Sequence, residues 1–151
     1  MQKDTLIIPG ILVAGYRVAS GPSKDYPYGS LEKQKPFFKE RGLDLDAYFE
    51  GTLNISIAPN HFKWVNPKYT FPSVEWTDLH PPETFSFQPC CVLVKRLSYK
   101  GMIYYPHPET KIRHFEKDDL IEVMTTWIPD LHYGDALEVE VERDALAILE
   151  R

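Results

Sequence analysis

Thr52 and Asn54 stand two positions apart in EGTLNISI, at the entrance of an apolar alternating run. On a strand, residues i and i+2 share a face, so a hydroxyl and a carboxamide oxygen converge on one point. Such a pair suits a hard cation such as Mg2+, which keeps several waters and needs few protein oxygens. The alternative is a turn-to-strand junction at which Asn54 bonds nearby backbone, since asparagine amides compete for backbone hydrogen bonds and are depleted in strands. A second concentration of polar chemistry is YYPHPETKIRHF, with His107, Glu109, Thr110, Lys111, Arg113 and His114. It reads equally well as the lining of a pocket or as a solvated loop. His107 and His114 lack the compact spacing of a transition-metal site, which leaves structural or substrate-contacting roles. No nucleophile elbow and no Walker-type phosphate loop is present, so serine hydrolysis and P-loop chemistry find no support.

The elements that must position these residues are mostly strands. Period-two alternation of β-branched and aromatic residues, broken by proline and glycine, recurs along the chain. It predicts strands over residues 10–20, 52–57, 91–99, 101–105, 120–126 and 136–142, with a tight hairpin at SYKGM. In the last of these, Leu137, Val139 and Val141 face one way and Glu138, Glu140 and Glu142 the other, towards solvent. One helix is expected in SLEKQKPFFKERGLD, stopped by Gly42, with Pro36 marking a first turn or a break and Phe37 and Phe38 anchoring it. Many of the thirteen prolines fall in residues 60–89, which predicts a long irregular excursion covering or lining a site. Trp64, Tyr69, Phe71 and Trp76 within it are rings for stacking on a planar ligand such as a nucleobase, or else core or loop anchors. Asp118 and Asp119 read as a polar turn.

The chain has 151 residues, 43% hydrophobic and 26% charged, as expected for one folded domain over 1–151 and for a monomer or small homo-oligomer. A net charge of -5 gives no basic footprint for nucleic acid. No apolar run reaches membrane-spanning length and the start lacks a secretory signal, so no membrane partner is expected and the expected location is cytoplasmic. Cys90 and Cys91 are adjacent, a poor geometry for a mutual disulfide.

Taken in order, VASG before a loop, the helix, EGTLNISI, LIEV and YGDALEVEV resemble the archaeal-type CTP-dependent riboflavin kinases over roughly residues 11–141. The most specific piece is GTLN, which matches the family's Pro-Gly-Thr-Leu-Asn motif except that Glu50 replaces the proline. The resemblance implies a mainly β fold, a small closed barrel of the cradle-loop type with one short helix. It also implies transfer of a nucleotide phosphate to riboflavin, giving FMN, with Mg2+ held by Thr52 and Asn54. Glu122 in LIEV matches the flavin-holding glutamate. The flavin-contacting threonine falls on His114 without gaps, or on Thr110 with a shift. The donor-phosphate loop falls on SGPSKDY, which implies nucleotide contacts at Gly21, Ser23 and Lys24.

Two stretches depart from the family. After Ser20 and Gly21 the loop has Pro22, which donates no N–H, and Asp25, a negative charge, where the family has further glycines. WIPDLHYGD carries no Leu-Arg pair, which the family places there. Donor recognition is therefore expected to be weakened or altered. A kinase with another donor or acceptor, and a non-catalytic flavin- or nucleotide-binding barrel, are the rival readings.

Overall fold

The computed structural model describes residues 4–14, 30–48, 52–79, 81–107 and 118–150. Nine strands and one helix lie within them: β1 (Thr5–Val13), α1 (Ser30–Glu40), β2 (Leu53–Ser56), β3 (His61–Trp64), β4 (Tyr69–Val74), β5 (Glu83–Val94), β6 (Leu97–Pro106), β7 (Leu120–Thr125), β8 (Ala136–Glu142) and β9 (Leu146–Leu149). The large sheet runs β4-β5-β6-β7-β2-β1-β8, and β8 returns to pair with β5. That last pairing, Cys90↔Val141 through Leu93↔Glu138, closes an antiparallel barrel of six strands. The small β3–β9 ribbon stands beside it.

Alternation sorts the side chains into two cores. Ile8 and Leu12, Ile55, Ile121 and Val123, Ile103, Cys90, Val92 and Val94, and Leu137, Val139 and Val141 fill the barrel interior. The intervening residues of β5, β6 and β7 point outwards, where a second core forms from Phe85, Phe87, Met102, Tyr104 and Met124 against Leu31 and Phe38 of α1. This explains why β7 does not alternate in exposure: Ile121, Glu122, Val123, Met124 and Thr125 are all buried. Its inner face meets the barrel core and its outer face lies on the helix side.

Helix α1 presents Leu31, Gln34, Lys35 and Phe38, the i, i+3, i+4, i+7 stripe of a helix, as its buried face. Pro36 stands inside the helix and does not break it. Gly42, at φ 99°, lies past its end in the left-handed conformation that favours glycine. Phe38 meets Phe85 and Phe87 edge-on at ring-centroid distances of 5.0 and 4.8 Å, with Phe71 stacked at 6.0 Å.

Three sequence expectations are corrected. The hairpin turn lies at Lys95–Arg96, and Ser98–Met102 is strand interior in β6. Both turn residues have positive φ, 51° and 64°, the requirement of a turn that normally takes asparagine and glycine, so their identities hid it. Residues 60–89 hold β3, β4 and the first half of β5 rather than an irregular excursion. Phe71 and Trp76 are buried core residues, which is the expected structural alternative to stacking on a ligand. Proline is accommodated in β5 because Pro89 falls between β5's pairing with β4, which ends at Phe87, and its pairing with β8, which starts at Cys90. The strand expected over 10–20 is β1, beginning at Thr5; residues 15–20 lie outside the described residues.

Cys90 and Cys91 are both free. Burial pushes the Cys90 thiol far up, so it stays protonated and unreactive at neutral pH. No helix among the described residues is long and apolar enough to cross a membrane.

Candidate functional site

Strand β2 enters the sheet between β1 and β7, and its register sets the site. Asn54 pairs with Val13 on one side and with Glu122 on the other. Glu122 pairs in turn with Tyr104, Tyr104 with Phe87, and Phe87 with Tyr69. Directly opposed residues share a face, so this row runs across the outside of the barrel. At one end it is aromatic core; at the other it becomes Glu122 and Asn54.

Thr52, two residues before Asn54, joins that polar end. Its hydroxyl donates to Glu122 Oε1 at 3.1 Å. Asn54 and Glu122 are 7% and 6% exposed, so neither is surface decoration. Asn54 Oδ1 is fully buried and has no hydrogen-bond partner among the described residues. A buried acceptor left unmade costs about 1–3 kcal/mol, which makes this atom anomalous unless something else binds it.

The residues fit a hard divalent cation. A hydroxyl, a carboxamide oxygen and a carboxylate are an all-oxygen donor set, and the orphaned atom is the one oxygen the sequence places as a ligand beside Thr52. The alternative in which Asn54 spends its oxygen on backbone is not what the structure has.

An expected result follows for stability. Asn54→Leu keeps the approximate side-chain shape and removes the orphaned acceptor. In chelator, it should raise the free energy of unfolding by about 1 kcal/mol. Urea denaturation with and without Mg2+ checks this: the wild type should gain stability from the ion and the variant should not. A variant less stable than wild type in chelator would mean that the carboxamide already has a structural job.

The helix reaches the same face. Tyr104, next to Glu122 in the row, donates its phenol to Gln34 Oε1 at 2.8 Å, and both groups are buried. Lys35, 6% exposed, donates from Nζ to the Tyr48 carbonyl at 2.9 Å. It thereby ties α1 to Tyr48, in the stretch that follows the helix. Gln34 and Lys35 escaped the sequence reading because they are polar. Their signal was positional: both fall on the stripe set by Leu31 and Phe38.

The other predicted residues separate into two groups. Gly21, Ser23 and Lys24, and likewise Thr110 and His114, lie outside the described residues. His107 accepts or donates a hydrogen bond between Nε2 and Ser86 Oγ at 2.7 Å, and Ser86 Oγ also meets Thr70 Oγ1 at 3.0 Å. Ser86 has no exposed surface, so this chain of hydroxyls and imidazole ties strands together rather than meeting a substrate. Trp64 packs edge-on against Phe62 and Tyr105, a second case of an aromatic serving as an anchor. Asp118 lies in the turn before β7 and holds His61 Nδ1 at 2.6 Å.

Among the described residues no group of three or more His, Cys, Asp or Glu is placed to hold a metal. The Thr52–Asn54–Glu122 set contains one such residue and is outside that class. A groove of about 690 Å³ lies elsewhere, between β1, the β5–β6 hairpin and the start of β8, and none of the three lines it. No protein-family model and no curated protein matches the sequence.

Proposed function

We propose that this chain is a Mg2+-dependent phosphotransferase acting on a flavin, passing the terminal phosphate of a nucleoside triphosphate such as CTP to the primary hydroxyl of riboflavin. The observation that carries the reading is the orphaned Asn54 Oδ1, buried beside Thr52 and Glu122 at the GTLN motif. Phosphoryl transfer asks little covalent chemistry of a protein; it asks for positioning and for neutralisation of charge on the transferred group. Bound Mg2+ supplies that neutralisation. Thr52 and Asn54 hold it, their spacing fixed by β2 lying between β1 and β7. Glu122 orients Thr52 through the hydroxyl hydrogen bond and stands next to the acceptor. Donor phosphates are assigned to Gly21, Ser23 and Lys24, and further flavin contacts to Thr110 and His114.

The test is FMN formation from riboflavin with Mg2+ and each nucleoside triphosphate in turn. Turnover should be lost in Asn54→Leu while riboflavin fluorescence is still quenched on binding to the variant. Saturable riboflavin binding without turnover by any donor would replace the kinase with a non-catalytic flavin-binding barrel. Absence of both binding and turnover would defeat the two readings together.

A further inference from the structure

We infer that Glu122 is a member of the cation site itself, acting as a positioning residue for Thr52 and as the site's negative charge. The inference rests on the proposal above that Thr52 and Asn54 hold a divalent cation. It begins with the direction of one hydrogen bond. In the Thr52–Glu122 contact at 3.1 Å the threonine hydroxyl is the donor and a carboxylate oxygen the acceptor. The hydroxyl proton is thereby fixed on the Glu122 side. Both Thr52 lone pairs are left to face away from Glu122, which is what a hydroxyl needs in order to ligate a cation. Without the carboxylate, the hydroxyl rotor is free to turn its proton towards the ligand position.

Register supplies the second step. Asn54 and Glu122 are direct partners across β2 and β7, and opposed residues present their side chains on one face about 5 Å apart. Thr52 shares that face with Asn54 through the period of two. Three residues therefore bring oxygens to one place, and they come from two strands that the hydrogen-bond ladder holds together.

Burial supplies the third. Asn54 is more than nine-tenths buried and its Oδ1 lacks a partner among the described residues, while Glu122, equally buried, adds a carboxylate beside it. Two neutral oxygens alone make a feeble site for a divalent ion, because affinity follows the number of charged ligands. The carboxylate is the one side chain of the three that can carry a formal negative charge. It also links the two halves of the reaction, since the same side chain that orients a cation ligand lies at the position the family resemblance gives to the flavin. Cation and acceptor should then report on one another.

The probe is Mn2+, followed as the free ion by electron paramagnetic resonance in titrations of the chelator-treated full chain. Wild type should bind one Mn2+ saturably. Glu122→Gln, which keeps the shape and removes the charge, should weaken binding by about tenfold or more. Thr52→Val should do likewise, and the double variant should lose little beyond Glu122→Gln, because the two side chains act through one contact. Thermal unfolding confirms that each variant is folded; should Glu122→Gln fail, Glu122→Asp carries the test, with its carboxylate drawn back by one methylene and its affinity expected to fall as well. Wild-type Mn2+ affinity in the folded Glu122 variant, with binding lost in Asn54→Leu, overturns the inference and leaves the Thr52–Asn54 site standing. Additive losses in the double variant overturn the positioning role. No saturable Mn2+ binding by wild type overturns the inference together with the cation site it rests on.

Discussion

Phe38→Ala should cost about 3–5 kcal/mol of stability, the range for emptying a fully buried aromatic site. Phe38 has no exposed surface and touches three other rings, Phe71, Phe85 and Phe87, at 4.8 to 6.0 Å. These rings come from β4 and β5, so the loss is shared by helix and sheet. The side chain is also what presses α1 onto the outer face, and Gln34 and Lys35 depend on that seating for their bonds to Tyr104 and to the Tyr48 carbonyl. Urea unfolding measures the loss. Riboflavin titration of the variant at low temperature, where it is still folded, should show weaker binding as well. A cost below about 1 kcal/mol would mean that α1 is held by something other than its aromatic stripe.

Gly10→Val should be nearly as damaging, for the opposite reason. A Cβ on Gly10 would stand 2.5 Å from Ile55 Cγ2 and 2.9 Å from the Ser56 carbonyl oxygen. The methyl of Ile55 can rotate away, but the backbone oxygen belongs to β2 and moves only with the strand. Overpacking of this kind costs about 3 kcal/mol when the neighbour cannot yield. The displaced strand is the one that carries Thr52 and Asn54, so Mg2+ binding should fall with stability. Gly10→Ala should fall between valine and wild type. Thermal unfolding of the two variants, with and without Mg2+, gives both quantities; equal midpoints for all three proteins would show that β1 and β2 separate freely at this point.

Much of this architecture was legible from side-chain patterns, and the rest was hidden for identifiable reasons. Leu137, Val139 and Val141 alternate with glutamates, and β8 runs as their pattern requires. β2 and β7 were legible as strands for the same reason. The turn at Lys95–Arg96 was invisible because turn chemistry is read from glycine, asparagine and proline, and here two long cations adopt positive φ. β5 was hidden by Pro89 within it and by having two partners along one edge, so that no single face of it alternates over all of its 12 residues. In the candidate site, the Thr52–Asn54 spacing pointed to a shared face. That Glu122 would be opposite Asn54 depended on the register between β2 and β7, which no local pattern encodes.

The closing of the barrel has a consequence for how the chain becomes folded. β1 finds its partner in β8, and the Thr5 hydroxyl that donates to Glu140 does so across 135 positions of sequence. The Thr52–Glu122 contact spans 70. Pairings so distant gain nothing until the intervening polypeptide has been ordered, and topologies dominated by them acquire their native contacts late and slowly. On the ribosome, β1 and β2 are both synthesised well before β7 exists. Through that interval the Leu53–Ser56 edge that will receive β7 lacks its neighbour, and Thr52 lacks its carboxylate. The oxygen cluster is thus a late product of assembly, formed by the same docking event that gives β2 its second neighbour.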